Sequence, residues 1–176
     1  MTTKAAVVGG LAIGVVNLAW LYIAFWVGLH TSGIAVFQIY MLIWLALNVL
    51  LYVAFLWAAK KTLDSFGYWR GVGIGANAAV LSGLVAVLAQ IGYFTIVNPE
   101  WPEYLTESAR QFFQEQGLAE EEIELKVEQT RLTTTVTNYS LQSLLSETLL
   151  GVILSMITMI FLRDRTGKAK STDSKN

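Results

Sequence analysis

From Lys4 to Lys60 the chain reads KAAVVGGLAIGVVNLAWLYIAFWVGLHTSGIAVFQIYMLIWLALNVLLYVAFLWAAK, and between those two lysines the only Asp, Glu, Lys, Arg or His is His30. A soluble domain carries about a quarter of its residues as charges, and no such fold could wet its surface with this stretch. A hydrocarbon layer ~30 Å thick takes ~20 apolar residues of helix, so the stretch holds two crossings joined by a tight turn at residues 30–33. Only helices and closed barrels satisfy their backbone groups in lipid. These runs lack the period-two alternation of barrel strands, which leaves helices at about residues 5–29 and 34–59. The first run is longer than the ~7–15 residues of a signal-peptide core. It also ends in Val27-Gly28-Leu29-His30, which offers no small-x-small cleavage site, so it reads as an uncleaved helix.

Two further runs, at about residues 71–97 and 139–162, meet the same length criterion. The expected fold class is therefore an all-α membrane protein with four transmembrane helices and a small acidic helical hairpin between helices 3 and 4. Its organisation is residues 1–97 for helices 1 to 3, 98–138 for the hairpin, 139–162 for helix 4 and 163–176 for a basic, polar tail. The whole-chain composition agrees, at 55% hydrophobic and 14% charged.

Lys and Arg accumulate on the cytoplasmic side of membrane proteins. Lys4, Lys60, Lys61, Arg70, Arg163, Arg165, Lys168, Lys170 and Lys175 flank one side of the spans, against Arg110, Lys126 and Arg131 on the other. Both termini are thus expected in the cytoplasm and the hairpin outside. Aromatic side chains favour membrane interfaces. Trp26, Tyr40, Tyr93 and Trp101 fall near the outer ends, and Trp57, Tyr68 and Trp69 near the inner ends.

Small residues let helices approach in lipid, where no hydrophobic force drives them together. Gly67, Gly71, Gly75, Ala79 and Gly83 recur every four residues, and Gly10 and Gly14 form a similar pair in the first span. Packing inside the bundle explains them more simply than a dimer seam does. Gly71-Val72-Gly73-Ile74-Gly75 is no nucleotide loop, because it follows no strand. Polar positions inside the spans are the candidate site residues. At about 1.5 Å rise per residue, Asn17 lies ~20 Å from Lys4, Asn48 ~18 Å from Lys60 and Ser82 ~18 Å from Arg70, all near mid-membrane. A hydrogen bond between Asn17 and Asn48 across the first hairpin is expected. On the same count Glu147 lies ~24 Å from Arg163, just beneath the outer surface, with Gln90 at a comparable depth on the third span as a candidate partner. Glu147 reads either as a polar cap or as a functional intramembrane group.

Asn98-Pro99 should stop the third span, and Pro102 can open a new helix. Leu105, Ala109, Phe112 and Phe113 share one face of it, and Gly117 is a plausible stop. A second helix at about residues 119–132 follows. Glu120, Glu121 and Glu122 suit its N-terminus, Ile123, Val127 and Thr130 line one side, and Glu122 pairs with Lys126. A hairpin of this size has no core of its own and must pack on the bundle, the membrane or a partner. The alternating Asp/Asn pattern of a calcium loop is absent. With no cysteine, one isolated histidine and no obvious base for Ser82 or Ser155, neither a cofactor nor a metal is implied and an enzyme is not expected.

The order of four spans, Lys60-Lys61 followed by Ser65-Phe66-Gly67 and Gly71, Asn98-Pro99 closing the third span, and a Glu-rich segment with Gly117 before Glu120-Glu121-Glu122-Ile123 carry a resemblance over about residues 4–163. The chain resembles a family of small bacterial inner-membrane proteins classed only as a domain of unknown function. The resemblance implies a four-helix fold and an inner-membrane location, and brings no catalytic residue. The leading functional expectation is a non-catalytic accessory or scaffolding subunit, or a homo-oligomer. Its contacts would be the lipid bilayer and a membrane-protein partner or a second copy, with no nucleic acid. The alternative is a small transporter or channel component using the polar residues of the spans.

Overall fold

The computed structural model describes residues 2–29 and 34–164. The expected tight turn with His30, and most of the basic tail, lie outside the described residues. The elements are α1 (Thr2–Trp26), α2 (Ile34–Lys61), α3 (Tyr68–Gly92), a π-helical turn (Tyr93–Val97), α4 (Trp101–Glu115), α5 (Glu120–Thr133) and α6 (Val136–Leu162). Four of them, α1, α2, α3 with its π turn, and α6, are long and apolar enough to cross a membrane. The chain is a multi-pass membrane protein whose outward apolar side chains, such as Leu50, Leu88, Leu149 and Phe161, meet lipid.

The α3/α6 pair is the closest in the bundle, and small residues make it so. A Cβ on Gly71 would collide with Met159, one on Gly75 with Ser155, one on Gly151 with Ala79 and Tyr52, and one on Gly83 with Leu144. The four-residue spacing along α3 thus meets a four-residue spacing along α6, antiparallel. The other side of α3 takes α1, where Gly10 sits on the Ala78 backbone and Gly14 on Val85. Gly67 has open space around it and belongs to neither seam. α3 packs most extensively on α6 and next on α1, while α2 closes the ring against α6 and α1.

One end of the bundle is held by a clasp. Lys60 Nζ lies 3.1 Å from Asp164 Oδ1 and donates to Leu162 O at 2.6 Å. The Phe66 N–H donates to Asp164 Oδ2 at 2.7 Å, and the Asp164 N–H donates back to Phe66 O at 3.1 Å. The Phe66 N–H, with Lys60 beside it, holds the Asp164 carboxyl below the usual carboxylate range. This fixes the C-terminus of α6 to the α2–α3 connection. Below it, Leu56, Phe66, Ile74 and Met159 form an apolar cluster.

The α4–α5 hairpin caps the opposite end. α4 closes on Gly117 at φ +71°: the Gly117 N–H donates to Gln114 O at 2.9 Å and the Leu118 N–H to Phe113 O at 3.4 Å, the glycine-terminated cap that needs a left-handed residue. Ile123 and Val127 are buried toward α4. Arg110 bridges the two helices, with Nη1 and Nη2 donating to Glu124 Oε1 and Oε2 at 2.6 and 3.0 Å. Glu122 and Lys126 pair at 3.7 Å. Trp101, Tyr104 and Leu105 at the start of α4 pack on Leu21, Tyr93, Phe94 and Tyr139, so the hairpin rests on the bundle. This corrects the interfacial reading of two aromatics. Tyr93 and Trp101 are only 2% and 4% exposed because α4 folds over the helix ends, whereas Trp26, Trp57 and Trp69 are exposed as interface anchors are.

The seam makes a direct prediction. Gly75→Leu overfills the α3/α6 contact and should cost about 1–3 kcal/mol or more. Gly73→Ala meets open space and should be neutral, or stabilising by up to about 1 kcal/mol from the gain in helix propensity. Thermal unfolding of the two variants in lipid nanodiscs checks both; equal Tm values would refute the seam.

Candidate functional site

The two midplane asparagines are joined. Asn17 Nδ2 donates to Asn48 Oδ1 and Asn48 Nδ2 donates to Asn17 Oδ1, both at 3.1 Å. The second N–H of Asn48 goes to Trp44 O at 3.0 Å. The second N–H of Asn17 goes to Glu147 Oε2 at 3.3 Å. Both amides therefore use every donor, and α1, α2 and α6 are tied together at one level. Glu147 is 5% exposed. The indole of Trp44 and the hydroxyl of Ser82 approach its carboxylate from α2 and α3, although Ser82 Oγ closes no hydrogen bond.

This arrangement corrects two expectations about Glu147. It is not a cap at the rim, because it shares the level of Asn17 and Asn48. Counting rise per residue measures distance along the helix, which exceeds depth along the membrane normal when a span tilts. Its partner is Asn17, and no hydrogen bond joins it to Gln90 among the described residues.

Above the carboxylate, toward the hairpin, lies a cavity of about 240 Å³. Asn17 and Glu147 form its floor. Its walls include Leu18 and Leu21 of α1, Tyr40 and Trp44 of α2, Ala89 and Gln90 of α3, and Tyr139 and Ser143 of α6. Tyr93, Phe94 and Trp101 line its hairpin end. The π turn explains how Tyr93 and Phe94, neighbours in sequence, are both buried there, since the wider turn shifts the register of side chains. The α2/α6 edge is less closed: Met41, Gln142 and Ser146 line the cavity and are themselves exposed, so it opens sideways between these two helices.

Of the candidate site residues, Asn17, Asn48 and Glu147 come together, Ser82 stands beside them and Gln90 lies on the cavity wall. Of the candidate glycines, Gly10, Gly14, Gly71, Gly75 and Gly83 serve helix contact and Gly67 does not; none lines the cavity. Gly83 sets α3 against α6 beside Leu144 and Thr148, one turn from Glu147. Ser155 Oγ donates to Gly151 O at 2.6 Å, within its own helix. Sequence reasoning missed Tyr40, Trp44, Trp101, Tyr139 and Gly151. A signal for two of them was present, because Tyr40, Trp44, Asn48 and Tyr52 are spaced by four on one face of α2.

Fold and site together define a four-span helical membrane protein with a roofed, laterally open cavity over a single buried carboxylate. Residues 9–164 match the family described as protein of unknown function (DUF4199), and the chain belongs to that family. No curated protein and no solved structure matches it.

An interhelical Asn pair in lipid is worth ~0.6 kcal/mol on average and up to ~2. A double-mutant cycle of Asn17→Ala and Asn48→Ala, read by thermal or denaturant unfolding, should return a coupling in that range. Additive effects would show that the pair does not hold α1 to α2.

Proposed function

We propose that the chain is a non-enzymatic small-molecule-binding membrane protein, acting as a binding or transport component. The observation that carries this reading is the cavity with Glu147 and Asn17 at its floor. Ionisable groups inside spans are costly and mark ligand or ion pathways, and ligand cavities combine apolar walls with a few convergent polar groups. Gln142, Ser143 and Ser146 at the sideways opening add polar contacts where lipid would otherwise favour apolar ones. The hydroxyl of Ser155 is committed to the backbone of its own helix, which supports a binding role over a nucleophilic one.

The reading places the protein in the bacterial inner membrane with both termini in the cytoplasm. The charge asymmetry of the flanks supports it, and the clasp at Lys60 and Asp164 puts the basic flanks of α2 and α6 on one face. An impermeant thiol reagent applied to intact cells should label Ser108→Cys on α4 and spare Ser65→Cys. The reverse pattern would overturn the orientation.

The cavity can be tested without knowing its ligand. Native mass spectrometry of protein purified from its own membranes should show a small-molecule adduct that is lost from Ser143→Trp, which fills the cavity, with little change in Tm. A second reading, an accessory subunit, draws on Leu125 and Leu132, which are exposed on α5 of the hairpin. It gains if no adduct is seen and a mild-detergent pull-down returns a stoichiometric protein partner that Leu125→Ser with Leu132→Ser releases.

A further inference from the structure

Resting on that reading, we infer that the cavity binds an ammonium group carrying an apolar body, a compact monovalent organic cation with Glu147 as its counter-ion. A carboxylate taken out of water needs a compensating partner. No Lys or Arg lies in α1 beyond Lys4, in α2 before Lys60, in α3 beyond Arg70 or in α6, so the bundle supplies no cation at this level. The protein meets the carboxylate with neutral groups alone: Asn17 donates to it at 3.3 Å, and the Trp44 indole and Ser82 hydroxyl stand against it.

The lining then decides the kind of cation. Ca²⁺ takes 6–8 oxygen ligands and Mg²⁺ near-octahedral oxygen geometry. Among the described residues no three acidic or histidine side chains converge anywhere, and the floor of this cavity has one carboxylate. Six aromatic side chains line it, Tyr40, Trp44, Tyr93, Phe94, Trp101 and Tyr139, among aliphatic and neutral polar ones. Faces of Trp, Tyr and Phe attract ammonium groups, most strongly when water is excluded, and cages of such rings recognise quaternary ammonium ligands. A volume of about 240 Å³ suits a compact molecule. The opening between α2 and α6 faces the membrane, which admits an amphiphile from lipid. Two sources offer this chemistry, a free organic cation and the ammonium headgroup of a phospholipid.

The test uses the full chain in phosphatidylglycerol nanodiscs, labelled with 5-fluorotryptophan. Trp44 and Trp101 report on the cavity, while Trp57 and Trp69 sit at the other end of the spans. Benzyltrimethylammonium should shift the Trp44 and Trp101 fluorine signals and leave Trp57 and Trp69 in place. Its neutral carbon isostere, neopentylbenzene, should bind at least tenfold more weakly at the same signals. Glu147→Gln should weaken benzyltrimethylammonium at least tenfold. The isostere comparison uses the wild-type chain, so the inference stays testable if the variant folds poorly. Discs containing phosphatidylethanolamine separate the sources. If they shift the two signals unaided and compete with the probe, the ligand is a lipid headgroup; if they leave probe binding unchanged, it is a free cation. Equal binding of the isostere, or unchanged binding by Glu147→Gln, overturns the ammonium inference and leaves the cavity reading standing. Silence of both compounds overturns it too, and the Ser143→Trp adduct comparison then decides whether the cavity reading falls with it.

Discussion

Inside a bilayer, apolar side chains gain little by leaving lipid for one another, so helices stay together only where their backbones approach closely or where polar groups meet. The α3/α6 seam is the structure's answer to that constraint. Removing side chains at Gly71, Gly75 and Gly83 on α3 and at Gly151 on α6 lets Met159, Ser155, Leu144 and Ala79 fill the freed space. α1 joins the other side of α3 by the same device at Gly10 and Gly14. α2 has no comparable run of glycines and stands further off. Large side chains separate it from its neighbours: Phe55 against Gly9, and Tyr52 against Gly151.

That inequality produces the cavity. Three helices approach closely through small residues, and the fourth is spaced by aromatics. On the basic side of the Asn17/Asn48 level the gap is filled by Leu56, Phe66 and Met159. On the hairpin side it is not filled, and the space beside Trp44 and Glu147 remains. Trp20 and Tyr40 stack at 5.9 Å with their planes 6° apart, joining α1 to α2 at the height of the cavity, so the space stays between the helices without α2 drifting away. The asparagine pair works at the same boundary, since its four N–H donors fix the levels of α1, α2 and α6 relative to one another.

The spans, the hairpin and its glycine stop follow from local chemistry: run length, Asn98-Pro99, Gly117 and the acidic start of α5 are all signals carried within a few residues. The Asn17–Asn48 contact is within reach of simple depth counting because the two helices are consecutive and antiparallel. Glu147 is different. Its place depends on how α6 packs along α3, its most extensive contact, which lies across the hairpin in sequence. The roof is illegible for a related reason. Tyr93 and Trp101 occupy positions that suit interface anchors, and only the π turn and the return of α4 turn them inward. Neither a π turn nor a fold-back direction has a strong composition signal. The stripe of Tyr40, Trp44, Asn48 and Tyr52 carries a signal of its own, because a face that sets an amide among aromatic rings is poorly suited to lipid.

The position of the single carboxylate gives the arrangement its meaning. A polar group needed only to tie helices could be an amide, as at Asn17 and Asn48, where every donor is used within the protein. Glu147 adds an acidic group whose hydrogen bonding the protein meets only in part, and does so at the closed end of a space lined by rings. Ser82, fully buried on α3, stands beside it. Helix cohesion accounts for the asparagines and the glycines but not for the acidic group. An occupant of the cavity bearing positive charge accounts for the carboxylate, at a level where all four spans carry polar side chains: Asn17, Asn48, Ser82 and Glu147.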